Sequence, residues 1–281
     1  MIIDFLSDLH LDFYFSKNNR IKDEDIYRLF NPIITKDNRD VGEVLIVAGD
    51  IGHYNWQNIR VLKYLKEHYY KYIICVLGNH DYYLIDHESK LQFKDSFERV
   101  NNMRKLINQE SDMYCLDGDI IEINGVKFGG CDSWYNNGYL LRQYPTQNFS
   151  RDNINEMWKS FMNDSNYMFG VENFDDIWEL EKTKIEKVYK ECDVMITHIN
   201  PSCKDEHINI NFQNNPSNVF FSFEGEEYRK KGNMKYWIFG HTHEELDFIE
   251  HGVTCYCNPL GYPNESGYGK YVAMQNFEIK N

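Results

Sequence analysis

Apolar residues in this chain come in short, nearly continuous runs that stop abruptly at polar residues. Ile2 to Leu6 ends in Ser7-Asp8-Leu9-His10, Val44 to Ala48 in Gly49-Asp50, and Tyr72 to Leu77 in Gly78-Asn79-His80-Asp81. Such runs, rich in β-branched residues and without polar alternation, read as strands buried on both faces. Between the second and third, Gln57 to Lys71 places Ile59, Leu62, Leu65 and Tyr69 at helical spacing. Strand, helix and strand in this order form a right-handed parallel crossover.

The middle of the chain has a different texture. Glu88 to Glu110 predicts a helix with Leu91, Phe97, Val100 and Leu106 among its apolar positions. Asp119 to Gly130 predicts a hairpin closed by Asn124-Gly125, a dipeptide suited to a type I′ turn. Ser133 to Phe174 is aromatic and Asn-rich without a clear period, and predicts helices and loops. Ile177 to Glu191 predicts a charged amphipathic helix that buries Ile177, Leu180, Ile185 and Val188. The strand pattern then resumes. Asp193 to Thr197 ends at His198, and Lys235 to Phe239 ends at Gly240-His241-Thr242-His243. Leu246 to Glu250 and Val253 to Cys257 pair across His251-Gly252, and Tyr271 to Glu278 forms a last strand. With no repeat and no Pro/Gly/Ser-rich linker, the expectation is one α/β domain over 1–281, with a helical cap or insertion at about 82–191.

Composition removes several classes. At 281 residues, 42% of them hydrophobic and 16% aromatic, the chain has enough apolar surface for a core and is not disordered. No run approaches the roughly 18 apolar residues of a membrane span. The first residues lack the basic region of a secretion signal. The seven scattered cysteines, Cys75, Cys115, Cys131, Cys192, Cys203, Cys255 and Cys257, read as reduced thiols in a core. A cytoplasmic location is therefore expected. The net charge of −14 argues against broad binding to a nucleic-acid backbone. A local patch of Lys204, Arg229, Lys230 and Lys231 keeps a nuclease on DNA or RNA as an alternative.

The chemistry lies where the strands end. In an open α/β sheet, functional groups gather just beyond the carboxyl ends of the strands. Asp8 and His10 are two residues apart and face one side, as do His241 and His243. Taken singly, a His is usually a packed or surface residue, and an Asp after a strand caps a helix or closes a turn. Taken together, Asp8, His10, Asp50, Asn79, His198, His241 and His243 offer carboxylates, imidazoles and one neutral amide. That donor set suits a pair of borderline divalent ions, Mn, Fe, Zn or Co.

The series Asp-x-His, Gly-Asp, Gly-Asn-His-Asp, Thr-His and Gly-His-x-His, spread from residue 8 to residue 243, resembles the calcineurin-like metallophosphoesterase superfamily in content and order. The resemblance implies a four-layer α/β/β/α sandwich of two mixed sheets flanked by helices. It implies a dinuclear phosphoesterase for phosphomonoesters or phosphodiesters. Asp8, His10 and His243 would hold one ion, Asn79, His198 and His241 the other, and Asp50 would bridge them. His80 would stand beside the scissile phosphate as a catalytic residue, with Asp81 orienting its ring. Water shared by two ions ionises near neutral pH and attacks phosphorus in line.

A small organic or nucleotide-like substrate is favoured, held under a cap built from about 82–191 and from the loop Asn200 to Ser222. Expected substrate contacts are His53, Tyr82, His207 and Asn258, the last in Asn258-Pro259-Leu260-Gly261, which resembles the Asn-Pro-Gly turn of several phosphodiesterase branches. Tyr83, beside Tyr82, is a further candidate, whereas His68, His87 and His251 read as surface or structural residues. A catalytically silent metal-binding scaffold is a second alternative, with less chemical need for the His80-Asp81 pair. The implied partners are a phosphate ester and no membrane; the oligomeric state is left open.

Overall fold

A computed structural model describes residues 1–18, 20–265 and 272–280. In chain order its strands are β1 (Ile2–Leu6), β2 (Val44–Ala48), β3 (Tyr72–Val76), β4 (Met113–Cys115), β5 (Asp119–Ile123), β6 (Val126–Gly130), β7 (Val194–Ile196), β8 (Tyr236–Phe239), β9 (Leu246–Glu250), β10 (Val253–Cys257) and β11 (Gln275–Glu278). The helices are α1 (Leu11–Tyr14), α2 (Asp23–Ile34), α3 (Asn55–His68), α4 (His87–Gln92), α5 (Ser96–Asn108), α6 (Gly138–Gln143), α7 (Arg151–Phe161), α8 (Asp164–Tyr167), α9 (Trp178–Val188) and α10 (Glu226–Lys231).

The strands form two mixed sheets, ordered β11-β1-β2-β3-β4 and β5-β6-β7-β8-β10-β9. β1 to β4 run parallel, as do β6, β7, β8 and β10. β11, β5 and β9 pair antiparallel at the edges. Ile3, Phe5, Val44, Ile46, Ala48, Ile74 and Val76 of the first sheet meet Phe128, Val194, Ile196 and Ile238 of the second in one buried cluster. The intervening residues, Leu45, Val47, Ile73, Cys75, Met195 and Trp237 among them, belong to a second cluster shared with the helices. Each central strand therefore buries both faces, which is why its sequence is a continuous apolar run. This is the four-layer arrangement.

Several elements differ from expectation. The helix read over Glu88 to Glu110 is two helices, α4 and α5. The break falls at Phe93-Lys94-Asp95, where the Asp95 carboxylate accepts the Glu98 backbone N–H at 2.8 Å and starts a new helix. Leu91 and Leu180, expected on apolar faces, are 74% and 51% exposed. α2, not anticipated, buries Ile26, Leu29, Phe30, Ile33 and Ile34. Within 82–191, β4 joins the first sheet and β5 and β6 join the second, so that span is woven into both sheets. Tyr271, the expected start of the last strand, lies outside the described residues; the strand runs Gln275–Glu278. The hairpin around Asn124-Gly125 forms with φ of 51° and 82°. All seven cysteines are free and buried. Among the described residues, no helix is long and apolar enough to cross a membrane.

Candidate metal centre

The carboxyl ends of β1, β2, β3, β7 and β8 meet where the two sheets adjoin. Backbone hydrogen bonds lace them together: Asp8 N–H to Gly49 O and His10 N–H to Asp50 O at 3.0 Å, and Gly240 N–H to His198 O at 2.8 Å. Asp8, His10, Asp50, His241 and His243 all have positive φ, between 42° and 70°. This left-handed region costs a non-glycine residue on the order of 1 kcal/mol, and concentrates where function over-determines the backbone. Its effect is to turn each side chain out of strand alternation and into the shared crevice. Gly78 has a different reason for being small: a Cβ there would overlap the Asp50 carboxylate and the His198 ring.

Two groups of donor atoms result. Asp8, His10, Asp50 and His243 each place one ligand atom within 4.8 Å of the others, as do Asp50, His198 and His241. In the first group His10 Nε2 lies 2.8 Å from His243 Nε2 and 3.7 Å from Asp50 Oδ2, and His243 Nε2 lies 3.6 Å from Asp8 Oδ1. In the second, Asn79 Oδ1 lies 3.1 Å from His198 Nε2 and 3.0 Å from His241 Nδ1, and His198 Nε2 lies 3.4 Å from Asp50 Oδ1.

The atoms behind these donors decide what the site fits. His198 Nδ1–H donates to Ala48 O and His241 Nε2–H to Phe220 O, both at 2.9 Å. Asn79 Nδ2 donates to Asp164 Oδ1 at 2.8 Å, so its Oδ1 faces the two histidines. The inward atoms of Asn79, His198 and His241 therefore converge, with Asn79 Oδ1 about 3 Å from a ring nitrogen of each histidine. A divalent cation resolves that arrangement, and outer hydrogen bonds of this kind are how metal-binding imidazoles are held. His243 Nδ1 is likewise paired with Glu265, at 2.8 Å. Among the described residues, His10 Nδ1 has no hydrogen-bond partner.

The titration behaviour agrees. Burial pushes His241 down to about 3. Burial also works against a charged His198, yet the Asp50 carboxylate outweighs it and pulls that imidazole up to about 10. The centre has surplus negative charge that attracts a proton; a cation would take that proton's place.

His80 sits beside this centre, its ring 4.6 Å from that of His10. Asp81 does not orient it, contrary to expectation. The Asp81 carboxylate accepts backbone N–H groups of Gly78 at 2.9 Å and of Ile51 and Gly52 at 3.2 Å, so it braces the loops instead. His80 Nδ1 meets His53 Nε2 at 3.0 Å, and His53 Nδ1 meets Asp12 Oδ2 at 2.7 Å. An Asp12–His53–His80 chain thus stands where an Asp81–His80 pair was expected. Burial lowers His80 to about 4. Arg99, buried in α5, fixes the backbone around this chain by donating to His80 O at 2.8 Å and Gly52 O at 2.7 Å.

A cavity of about 650 Å³ opens over the centre, lined there by Asp50, Asn79, His80, His241 and His243. Four expected substrate contacts lie elsewhere. His53 is turned behind His80 and is absent from the cavity lining. Tyr82 is buried with its hydroxyl on Asp132 at 2.8 Å; its neighbour Tyr83 lines the cavity. His207 stacks on Phe248 and binds Ser202. Asn258 donates to Phe5 O and Ala273 O, while Leu260 N–H and Gly261 N–H bind Ser7 O and Asp8 O, so this stretch secures the end of β1. The residues missed at sequence level are Asp12, Asp164, Arg99, Tyr262 and Glu265. Only Asp12 carried a signal, because it extends Asp8-x-His10 by two more positions.

Oxygen and imidazole donors at the strand ends of paired mixed sheets define a metal-dependent hydrolase of phosphoric esters. The sequence profile of the calcineurin-like phosphoesterases matches residues 1–245, and the chain belongs to that family. It is 23% identical over 277 residues to "Uncharacterized protein L509" of Acanthamoeba polyphaga mimivirus, covering 94% of this chain and 92% of that protein. In structure it is similar to the phosphopantetheinyl hydrolase PptH of Mycobacterium tuberculosis, with a TM-score of 0.71, 14% identity, and coverage of 99% of this chain and 96% of that one.

Proposed function

We propose that the chain is a dinuclear-metal phosphoesterase, with Asp8, His10 and His243 at one ion, Asn79, His198 and His241 at the other, and Asp50 between them. The observation that carries this reading is the two-sided use of Asp50. Its Oδ2 faces His10 at 3.7 Å and its Oδ1 faces His198 at 3.4 Å, so one carboxylate belongs to both groups. Two bound ions, Mn, Fe, Zn or Co, would supply charge neutralisation on phosphoryl oxygens and a water acidic enough to ionise near neutral pH.

The chain's own residues do the rest. Asn79 contributes an oxygen without adding negative charge beside an anionic substrate. His80 borders the cavity and is held from behind by His53, which leaves its Nε2 toward the substrate space, 3.4 Å from the Tyr262 hydroxyl. A hydrogen-bonding group so placed contributes roughly 10²–10⁴-fold in comparable reactions. The domain is read as single, with α7 and the 200–222 segment forming a wall over the centre, and as cytoplasmic. Of the patch that kept the nuclease alternative open, Lys204 and Arg229 pair with Glu250, Lys230 with Glu226 and Glu227, and Lys231 with Glu227.

The test pairs wild type with His80→Ala, both loaded with Mn²⁺ and assayed on p-nitrophenyl phosphate and bis-p-nitrophenyl phosphate, with metal content measured on the same samples. The reading requires two ions per chain in both proteins and turnover in the variant lowered by roughly 10²-fold or more. Two ions bound and no hydrolysis of either ester by wild type would return the scaffold alternative.

A further inference from the structure

Beyond the metal centre, the cavity has an unusual charge balance for a phosphate-ester site. Among the described residues no lysine or arginine lines it, and the charged side chains it adds to the centre are Glu244 and Glu265. Of the cations on adjoining segments, Lys204 and Arg229 pair with Glu250, and Arg142 pairs with Glu224 and Glu226.

The remaining wall joins polar residues to an apolar stretch made by Phe161 at the end of α7, Met162 just after it, Ile208, Phe212 and Phe221. Phe161 and Phe212 are 67% and 58% exposed, so they form its solvent-facing rim. The asparagines among these residues are largely used in building the wall. Asn218 donates to Phe212 O and the Tyr139 hydroxyl, Asn200 to His207 O, and Asn209 to Glu244, while Asn215 accepts from Ser217.

A scissile phosphate would meet its positive charge at the centre. Among the described residues, a second anionic group further out would meet Glu244, and Glu265 where it pairs with His243, and no lysine or arginine; like charges brought together select against a ligand. An apolar group would instead cover Phe161, Phe212 and Phe221 and remove their surface from water.

We infer that the site takes a phosphoester whose organic group beyond the scissile phosphate is uncharged and apolar, an alkyl or aryl ester, and that it selects against esters bearing a second phosphate. The inference rests on the phosphoesterase reading above. Nucleoside polyphosphates and nucleic-acid strands fall in the disfavoured class, because each carries phosphates next to the one attacked.

The test uses the full chain loaded with Mn²⁺ and measures binding and turnover separately. Calorimetry compares hexylphosphonate with hexane-1,6-diphosphonate, neither of them hydrolysable. Release of p-nitrophenolate compares p-nitrophenyl hexyl phosphate with its 6-phosphohexyl analogue. The expected result is a preference of about tenfold or more for the member with a single anionic group in both series, narrowed by Glu244→Lys to less than about threefold. Phe212→Ser, at an exposed position, weakens hexylphosphonate about fivefold and leaves inorganic phosphate binding unchanged. Equal or tighter binding of the diphosphonate overturns the inference. The expected preference in binding, with neither ester turned over, supports the inference about the cavity and overturns the esterase reading, so the two failures are told apart.

Discussion

Asn79 and Asp164 are joined side chain to side chain at 2.8 Å across 85 residues of chain. Asp164 is fully buried and also accepts the Tyr83 hydroxyl at 2.5 Å and the Tyr135 hydroxyl at 2.6 Å. Three donors therefore converge on one carboxylate, and that convergence decides which end of the Asn79 amide faces the metal centre. Replacing Asp164 by Asn sets an NH₂ group against one of those donors. Metal affinity should fall by roughly 10- to 100-fold, the usual cost of disturbing an outer hydrogen bond of a metal ligand. Competition with a calibrated chelator measures it; unchanged affinity in a folded variant would refute the role.

The Asp12–His53–His80 chain predicts a non-additive series. His53→Ala should lower kcat about tenfold with KM and metal content little changed, because His53 acts through His80. Asp12→Asn should do the same more weakly. In a His80→Ala background, His53→Ala should have almost no further effect on kcat. Independent, multiplying losses would show that His53 does not work through His80.

The left-handed backbone at Asp8, His10, Asp50, His241 and His243 is held together by the carboxylates and imidazoles it gathers. Ions held by these residues would stabilise that arrangement in the folded state alone. At a free concentration one hundred times the dissociation constant, one ion adds about 2.7 kcal/mol. For a chain of this size that raises Tm by roughly 5 °C or more. Differential scanning calorimetry with Mn²⁺ and with excess chelator reads the shift directly. Asp8→Ala should lose most of it, and a full shift in that variant would mean that the ions bind elsewhere.

A pH-dependent contribution to stability is predicted away from the site. Hydrogen bonds from Arg142, and then from His251 and Lys230, hold the Glu226 carboxyl at about 2, against an ordinary 4.5. Its folded value is lowered, so the unfolded chain takes up the proton first. The contribution is complete above about pH 4.5 and is lost as pH falls toward 2. Glu226→Gln should therefore cost about 1 kcal/mol at pH 7, as partly exposed ion pairs do. The gap between variant and wild type in urea midpoint should close as pH drops from 6 to 3. A gap independent of pH would assign the loss to packing instead.

Much of this molecule is legible in one dimension. Val44 to Ala48 is buried along its whole length, so its five apolar residues announce a strand between two layers. The candidate ligands are legible for a related reason: a strand that must stay apolar to its last residue marks its first polar side chains as chosen. By contrast, Leu91 and Leu180 misled, because an apolar residue at helical spacing does not reveal whether anything packs over it.

The sequence by itself determined the α/β class, a candidate set of metal-binding donors and, through the resemblance its motifs carry, the family and its layered architecture, since the motifs are residue types at short spacing along continuous strands. The tertiary structure alone decided how that set is aimed. It placed five donors on left-handed backbone, gave Asn79 its orientation through Asp164, and handed His80 to His53 rather than to its neighbour Asp81. It also turned Tyr82 inward and Tyr83 toward the cavity. The physical reason is the same in each case. A side chain's direction and its hydrogen-bond partner follow from backbone conformation and from residues tens of positions away, and neither is recorded in local order along the chain.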